Sequence, residues 1–236
     1  MHSDPYPDEP LPRRRFLLLG SAGILTIGLG ALTESLIGKA TEPLNESVER
    51  LLFQPHSLTP EFPRSAIEPE KLLINTFRFT PHLDPHTYRL QITGSVQKPL
   101  TLSLHDLHTL PYTSTTIRHV CVEGWAAIVQ WGGIRLRDLL PLAQPHSQAR
   151  YAYFYSADGY YESWDLDSAL HPQTLLAYEK NYQPLPIANG APLRLASPIK
   201  LGYKQSKWVT AIRLTPTLQS QRGTWEDLGY EWYAGL

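Results

Sequence analysis

Proline punctuates this sequence too often for long helices to dominate it. The chain has 21 prolines in 236 residues. Each fixes φ and removes a backbone donor, which favours turns and short strands over a helix bundle. Thirteen tyrosines and six tryptophans point the same way, because aromatic side chains suit pleated surfaces. A hydrophobic fraction of 42% is enough for a real core, and the length fits one large domain or two small ones. The 21 Lys+Arg and 22 Asp+Glu leave a net charge of −1. That gives no general attraction to nucleic acid and argues against DNA binding. A single cysteine excludes an internal disulfide framework and any multi-cysteine zinc or iron–sulfur site.

Residues 1–40 read as an export segment. Arg13-Arg14-Arg15 precedes an apolar run from Phe16 to Leu32, the arrangement of a targeting signal. Arg13-Arg14 with Phe16-Leu17 resembles a twin-arginine signal, although Leu18 stands where a lysine is usual. An uncleaved membrane anchor is the alternative, since the run is near the lower length limit for a spanning helix. Gly38-Lys39-Ala40 offers small residues for cleavage. The twin-arginine route moves folded proteins, so it raises the expectation of a cofactor inserted before export. Residues 41–70, with Pro43, Pro55, Pro60, Pro63 and Pro69, read as a Pro-rich linker and extended arm, with a short helix at Glu46–Phe53.

Residues 71–236 read as one α+β, β-rich domain. The pattern predicts strands at Tyr88–Ile92, Thr115–Val122, Leu175–Tyr178, Leu193–Ala196 and Trp208–Leu214. Tyr151–Tyr155 and Tyr160–Trp164 flank Ala157-Asp158-Gly159 and read as a hairpin. Short helices are expected at Thr101–Leu110, capped by Ser103 or Thr101, and at Leu136–Leu140 before Pro141.

Cys121 lies at the end of the Thr115–Val122 strand, where loops present reactive groups. Two readings stand. The thiol is a small buried hydrophobe, or it is a ligand. An exported protein with an idle thiol faces oxidation, which favours a capped or ligated sulfur. A thiolate suits a soft metal, and Arg118 or His119 nearby would favour ionisation. One cysteine cannot fill a metal site alone, but a cofactor bringing its own sulfur ligands would complete it.

Three ordered motifs carry a resemblance. They are Cys121-Val122-Glu123-Gly124-Trp125 with Trp131-Gly132-Gly133-Ile134, then Leu185–Leu195, then Pro198–Trp208. His171-Pro172 and Thr174–Ala177 fit between them. Over roughly residues 71–215 the chain resembles the sulfite-oxidase-fold molybdopterin oxidoreductases. Within them it is closest to the catalytic subunits of periplasmic protein-methionine-sulfoxide reductases. The resemblance implies a sulfite-oxidase-type molybdopterin-binding fold with molybdenum and molybdopterin as cofactors. It makes Cys121 the metal ligand and catalytic centre. It places Asn75, Ser156, Asn189 and Arg194 against the pterin, and Gln205, Ser206 and Lys207 at its phosphate end. Arg78 and Phe79 stand where the family has an aromatic residue and an acid.

General chemistry agrees with several of these assignments. A terminal phosphate suits arginine, lysine and turn amides, and Gly202 lets backbone approach closely. Arg194, in an otherwise apolar strand, needs a partner if buried. The alternative for Lys200, Lys204 and Lys207 is a solvated surface run. Trp125 and Trp131 read as core more than as walls of a mouth, and Glu123 as a partner for its own loop backbone. His105 and His108, and His82 and His86 beside Asp84, lack a third ligand at zinc-like spacing and read as surface residues. No Gly-x-Ser-x-Gly motif supports serine hydrolysis.

The resemblance implies oxygen-atom transfer, with sulfoxide reduction preferred and methionine sulfoxide in exported, oxidised proteins as the target. A membrane haem-containing subunit would donate electrons, and the enzyme would work in the periplasm or anchored facing it. A sulfite dehydrogenase or oxidase-like enzyme is one alternative. Those proteins follow the cysteine with arginines, whereas Val122-Glu123-Gly124-Trp125 puts an acid there. A non-enzymatic binding module that has kept the fold is the other.

Overall fold

Frequent turns break the described chain into short strands that pair over long sequence distances. The computed structural model describes Val48 and residues 53–236, and residues 53–236 belong to one unit, Glu49–Leu236. The export segment of residues 1–40 and the helix expected at Glu46–Phe53 fall outside the described residues, apart from Val48 and Phe53. Among the described residues no helix is long and apolar enough to cross a membrane.

In chain order, β1 (Leu90–Gly94) and β2 (Leu100–Leu102) pair antiparallel and lead into α1 (Leu104–His108). Ser103 caps α1. Its Oγ accepts from the Asp106 N–H, while the Asp106 carboxylate accepts from the Ser103 N–H at 2.8 Å. Then come β3 (Tyr112–Val120), β4 (Ala126–Arg135) and α2 (Leu136–Leu139), which continues as a 3₁₀ turn over Leu140–Ala143. The hairpin β5 (Tyr151–Ser156) and β6 (Tyr161–Asp165) precedes α3 (Leu166–Ala169). The last strands are β7 (Leu175–Lys180), β8 (Gln183–Pro184), β9 (Arg194–Ala196) and β10 (Val209–Thr215).

Two sheets result. One has the order β2-β1-β10-β5-β6, with β1 parallel to β10. The other has the order β3-β4-β7-β8, with β9 also pairing β7. The second sheet divides two cores, and strand alternation assigns its side chains to them. Leu176 on β7 and Leu195 on β9 face the larger core with Ile92, Phe154 and Ile212 of the first sheet. Leu175, Ala177 and Ala196 face the smaller core with Ile117, Val129 and Trp131.

β4 is the longest of three strands that the sequence pattern did not predict; β8 is another, and β2 takes Thr101 and Leu102 from the start of the helix expected at Thr101–Leu110, which begins at Leu104. Gly132 and Gly133 both sit in the β4 ladder, with a register shift between them. A Cβ on Gly133 would lie 2.1 Å from the Leu176 carbonyl oxygen, so only glycine permits that approach of β4 to β7. Residues 57–68 are fastened along the same unit. His171 Nε2 meets the Ser57 carbonyl at 2.9 Å, the Gln173 amide brackets Thr59, and the Glu68 carboxylate accepts from the Ile128 N–H.

Candidate functional site

β3 ends at Val120, and the chain then turns through Cys121–Gly124. The Cys121 N–H donates to the Trp125 carbonyl at 2.9 Å and Gly124 N–H to the Cys121 carbonyl at 3.2 Å, with Gly124 at φ +88. This turn presents a half-buried Cys121 to a cavity with about 1000 Å³ of empty space, part of it open to solvent. The strand-end placement expected for Cys121 holds.

The cavity has an ordered mouth. Glu123 Oε2 accepts from Asn75 Nδ2 at 2.8 Å, from Trp125 Nε1 at 2.9 Å and from Cys121 Sγ at 3.7 Å. Glu123 therefore binds side chains around it and does not cap its own loop backbone. Trp125 and Asn75 hold its carboxyl below the ordinary range. Trp125 packs against the smaller core and also lines the cavity, whereas Trp131 is fully buried. Burial pushes the Cys121 thiol up, and the Glu123 charge adds to that. The expected help from basic neighbours is absent. Arg118 is exposed, on the strand face opposite His119, and acts on Glu68. Burial pushes His119 down to about 3, so its ring is neutral.

The inner wall comes from the turn before β9 and the loop after it. Arg194 is 5% exposed. Its Nη1 donates to the Asn189 carbonyl at 2.9 Å, its Nε to the Leu195 carbonyl at 3.2 Å, and its guanidinium lies 4.4 Å from the Trp131 ring centroid. Among the described residues no carboxylate pairs with it, and burial pushes it down to about 9. Lys207 Nζ donates to the Asn75 and Ala188 carbonyls. Burial, then the Arg194 charge, pushes it down to about 8. Asn189 accepts through Oδ1 from Lys180 Nζ at 2.9 Å.

Asn75, Cys121, Asn189, Arg194, Gln205, Ser206 and Lys207 thus share one cavity. Ser156 is not among its lining residues. It ends β5 with its Oγ buried and unpartnered, and Asp158 from the same hairpin turn reaches the cavity instead. Gln205 lines the wall, but its amide serves the frame. Nε2 donates to the Ser197 and Lys200 carbonyls, and Oε1 accepts from Ser197 N–H. Ser206 Oγ is buried without a partner. Arg78 and Phe79 are exposed, and Phe77 lines the cavity, edge-on to Tyr160.

The alternative of a solvated basic run fails at two of its three members. Lys200 and Lys204 are 1% and 0% exposed. Lys204 Nζ pairs with Glu162 and Glu226, and Lys200 Nζ donates to the Tyr233 carbonyl at 2.6 Å. Their partners lie far away in sequence, which is why the local pattern read as solvated. Sequence reasoning also missed Trp225 and Tyr230, which bring the C-terminal segment to the cavity. His82, His86, His105 and His108 are exposed.

The residues present fit a molybdopterin. A lone thiol and a buried guanidinium with no carboxylate partner line one space, and a phosphorylated, sulfur-bearing group would engage both. Comparison with known proteins agrees. Residues 78–225 match the family described as the oxidoreductase molybdopterin binding domain. A putative protein-methionine-sulfoxide reductase subunit of Azospira oryzae is 35% identical over 95% of this chain and 88% of its own length. The catalytic subunit of a protein-methionine-sulfoxide reductase of Campylobacter jejuni is 33% identical over 66% of this chain and 58% of its own. The crystal structure of a sulfane dehydrogenase from Paracoccus pantotrophus superposes with a TM-score of 0.60 at 23% identity. The match covers 72% of this chain and 48% of that one.

Proposed function

Because this chain belongs to the oxidoreductase molybdopterin-binding domain family, we propose that it is the catalytic subunit of an exported enzyme that reduces sulfoxides, with methionine sulfoxide in oxidised proteins as the target. It is an oxidoreductase with the sulfite-oxidase-type, β-rich α+β fold. The observation that carries the proposal is the pairing of one thiol with one carboxylate at the cavity mouth, Cys121 with Glu123.

Cys121 would hold the molybdenum through its thiolate, giving up the proton that burial and Glu123 now keep on it. Arg194, Lys207 and Ser206 would hold the phosphate end, and Asn189 the pterin. When bound, the group would supply two-electron oxygen-atom transfer, so that a sulfoxide, two electrons from the donor subunit and two protons from solvent give a thioether and water. Asn75 and Trp125 fix the Glu123 carboxylate beside the reacting end. A fixed negative charge there repels the sulfite dianion and tolerates a neutral sulfoxide. Trp125, Phe77, Trp225 and Tyr230 give the mouth aromatic surface for a thioether side chain.

The relatives' names support a multi-subunit enzyme, and a membrane haem-containing subunit would return the electrons. The Arg13-Arg14 and Phe16-Leu17 pattern supports twin-arginine export to the periplasm. The test is to purify the protein, quantify molybdenum and released pterin, and compare turnover of a methyl sulfoxide with that of sulfite. Bound molybdopterin and selective sulfoxide reduction are expected. Faster sulfite oxidation would move the protein to the alternative class, and no bound metal or pterin would make it a binding module. Cys121→Ser should lose sulfoxide turnover to background with its thermal unfolding unchanged. Undiminished turnover refutes the ligand assignment.

A further inference from the structure

The turn that follows β8 brings Asn189 to the cavity with its backbone fixed at both ends. Asn189 is the last residue of the 3₁₀ turn Ile187–Asn189, and Gly190 leaves that turn at φ +113. The Asn189 N–H donates to the Pro186 carbonyl at 3.0 Å, and the Asn189 carbonyl accepts from Arg194 Nη1 at 2.9 Å. A Cβ on Gly190 would lie 2.9 Å from Lys207 Cβ and 3.0 Å from Arg194 Cβ, so the turn is packed against the stems of both cations. What the backbone leaves open is which way the side-chain amide faces, because its terminal torsion is roughly two-fold.

Lys180 decides that. It ends β7, paired with Trp131 of β4 on one side and with Gln183 of β8 on the other. Its Nζ lies 2.9 Å from Asn189 Oδ1. An ammonium only donates, so the amide oxygen is the accepting atom and the NH2 group turns away from Lys180. Nδ2 makes no hydrogen bond among the described residues, and it is not sealed in the interior as Ser206 Oγ is. Asn189 lines the cavity, so the NH2 group opens onto it. Little else holds the lysine in place. Burial, then the Arg194 charge, keeps it below its ordinary range. Among the described residues no carboxylate meets it at ion-pair distance, and the Asn189 contact is the one hydrogen bond its ammonium makes.

We propose that Lys180 is a positioning residue: its ammonium fixes the Asn189 amide so that the NH2 group faces the cavity and donates to an acceptor of the pterin. The inference rests on the molybdopterin reading of the cavity. A pterin carries a carbonyl and ring nitrogens that accept, and Arg194 and Lys207 are the groups assigned to the phosphate. Without Lys180 the amide is free to turn and offer its oxygen to the same place, where two acceptors face each other and neither is satisfied.

A double-mutant cycle separates this role from a direct effect of the lysine charge. The variants are Lys180→Met, Lys180→Arg, Asn189→Ala, and Lys180→Met combined with Asn189→Ala. Each holoprotein is purified, and the rate of pterin loss on dilution is measured. Lys180→Met and Asn189→Ala should each lose pterin about two- to tenfold faster than the parent, as expected for one hydrogen bond. The double variant should be no faster than Asn189→Ala alone. Lys180→Arg keeps a donor and should stay near the parent. If Asn189→Ala does not fold, Asn189→Ser, too short to reach Lys180, takes its place in the cycle. Additive effects in the double variant would mean that the lysine acts through its charge, and would overturn the proposal. A parent-like rate in Lys180→Met, or loss from Lys180→Arg as fast as from Lys180→Met, would overturn it too. A parent that holds no pterin fails the underlying reading and the inference with it, whereas a loaded parent with an additive cycle fails the inference alone.

Discussion

Two buried cation clusters flank the cavity, and they differ in one respect. Around Lys204 the charge is answered inside the protein. Its ammonium meets the Glu162 and Glu226 carboxylates and the Ser163 carbonyl, all in the interior. Burial holds the Glu162 carboxyl well above its ordinary range even against the pull of Lys204. Around Arg194 the hydrogens are answered but the charge is not. Arg194, Lys207 and Lys180 donate to backbone carbonyls and the Asn189 amide, and among the described residues none makes an ion pair. Carbonyl dipoles satisfy N–H groups without neutralising them. A cluster closed on itself is frame, and a cluster left with excess positive charge awaits an anion.

The largest effect should fall on the closed cluster. Lys204→Met strands Glu162 and Glu226, which lie against each other at Gly223. We expect a loss of about 3–5 kcal/mol, the usual consequence of removing one partner of a buried pair. Urea unfolding should show it equally in the cofactor-loaded and cofactor-free protein, because the cluster owes nothing to the ligand. An unchanged midpoint would break the comparison. The open cluster should behave in the opposite way. Arg194→Met removes a charge that nothing neutralises, so the cofactor-free protein should keep its stability or gain a little. Pterin affinity should fall about 10- to 100-fold, as for loss of a charge-assisted hydrogen bond. Equal destabilisation of both forms would make Arg194 frame as well.

This contrast also explains what the sequence disclosed. Local patterns were readable where the cause is local. The β5–β6 hairpin turns at Ala157-Asp158-Gly159, and the Ser103–Asp106 box starts α1. Cys121, Asn189, Arg194 and Lys207 could be picked out by residue chemistry and resemblance, and the cavity gathers them. β4 was not readable, because a strand covered on both faces loses its alternation and its paired glycines mimic a loop. Lys204 was not readable either, since Glu162 lies 42 residues before it and Glu226 lies 22 after. The C-terminal segment has no periodic pattern. Single anchors place it, such as Trp232 Nε1 on Ser163 Oγ at 2.8 Å and the Asp227 carboxylate on the Tyr161 hydroxyl. That is how Trp225 and Tyr230 reach the cavity unannounced.

The smallest effect tests the open cluster by titration. Lys207 falls from 10.5 to about 8 in the cofactor-free fold, chiefly through burial and then through Arg194. Above pH 8 the folded protein releases this proton, while the unfolded chain keeps it until about 10.5. The unfolded state therefore binds more protons, and stability rises with pH across that window, by at most about 1.4 kcal/mol per pH unit. Partial exposure of the side chain lowers the slope further. Arg194, at about 9, joins above that pH, so the measurement belongs between pH 8 and 9. Denaturant unfolding of the cofactor-free protein should show a rise that Lys207→Met removes. The loaded protein should lack it, because a bound phosphate returns the ammonium toward its ordinary range. A rise that survives Lys207→Met would assign the titration to another group, and one that persists with cofactor bound would mean that no anion answers this charge.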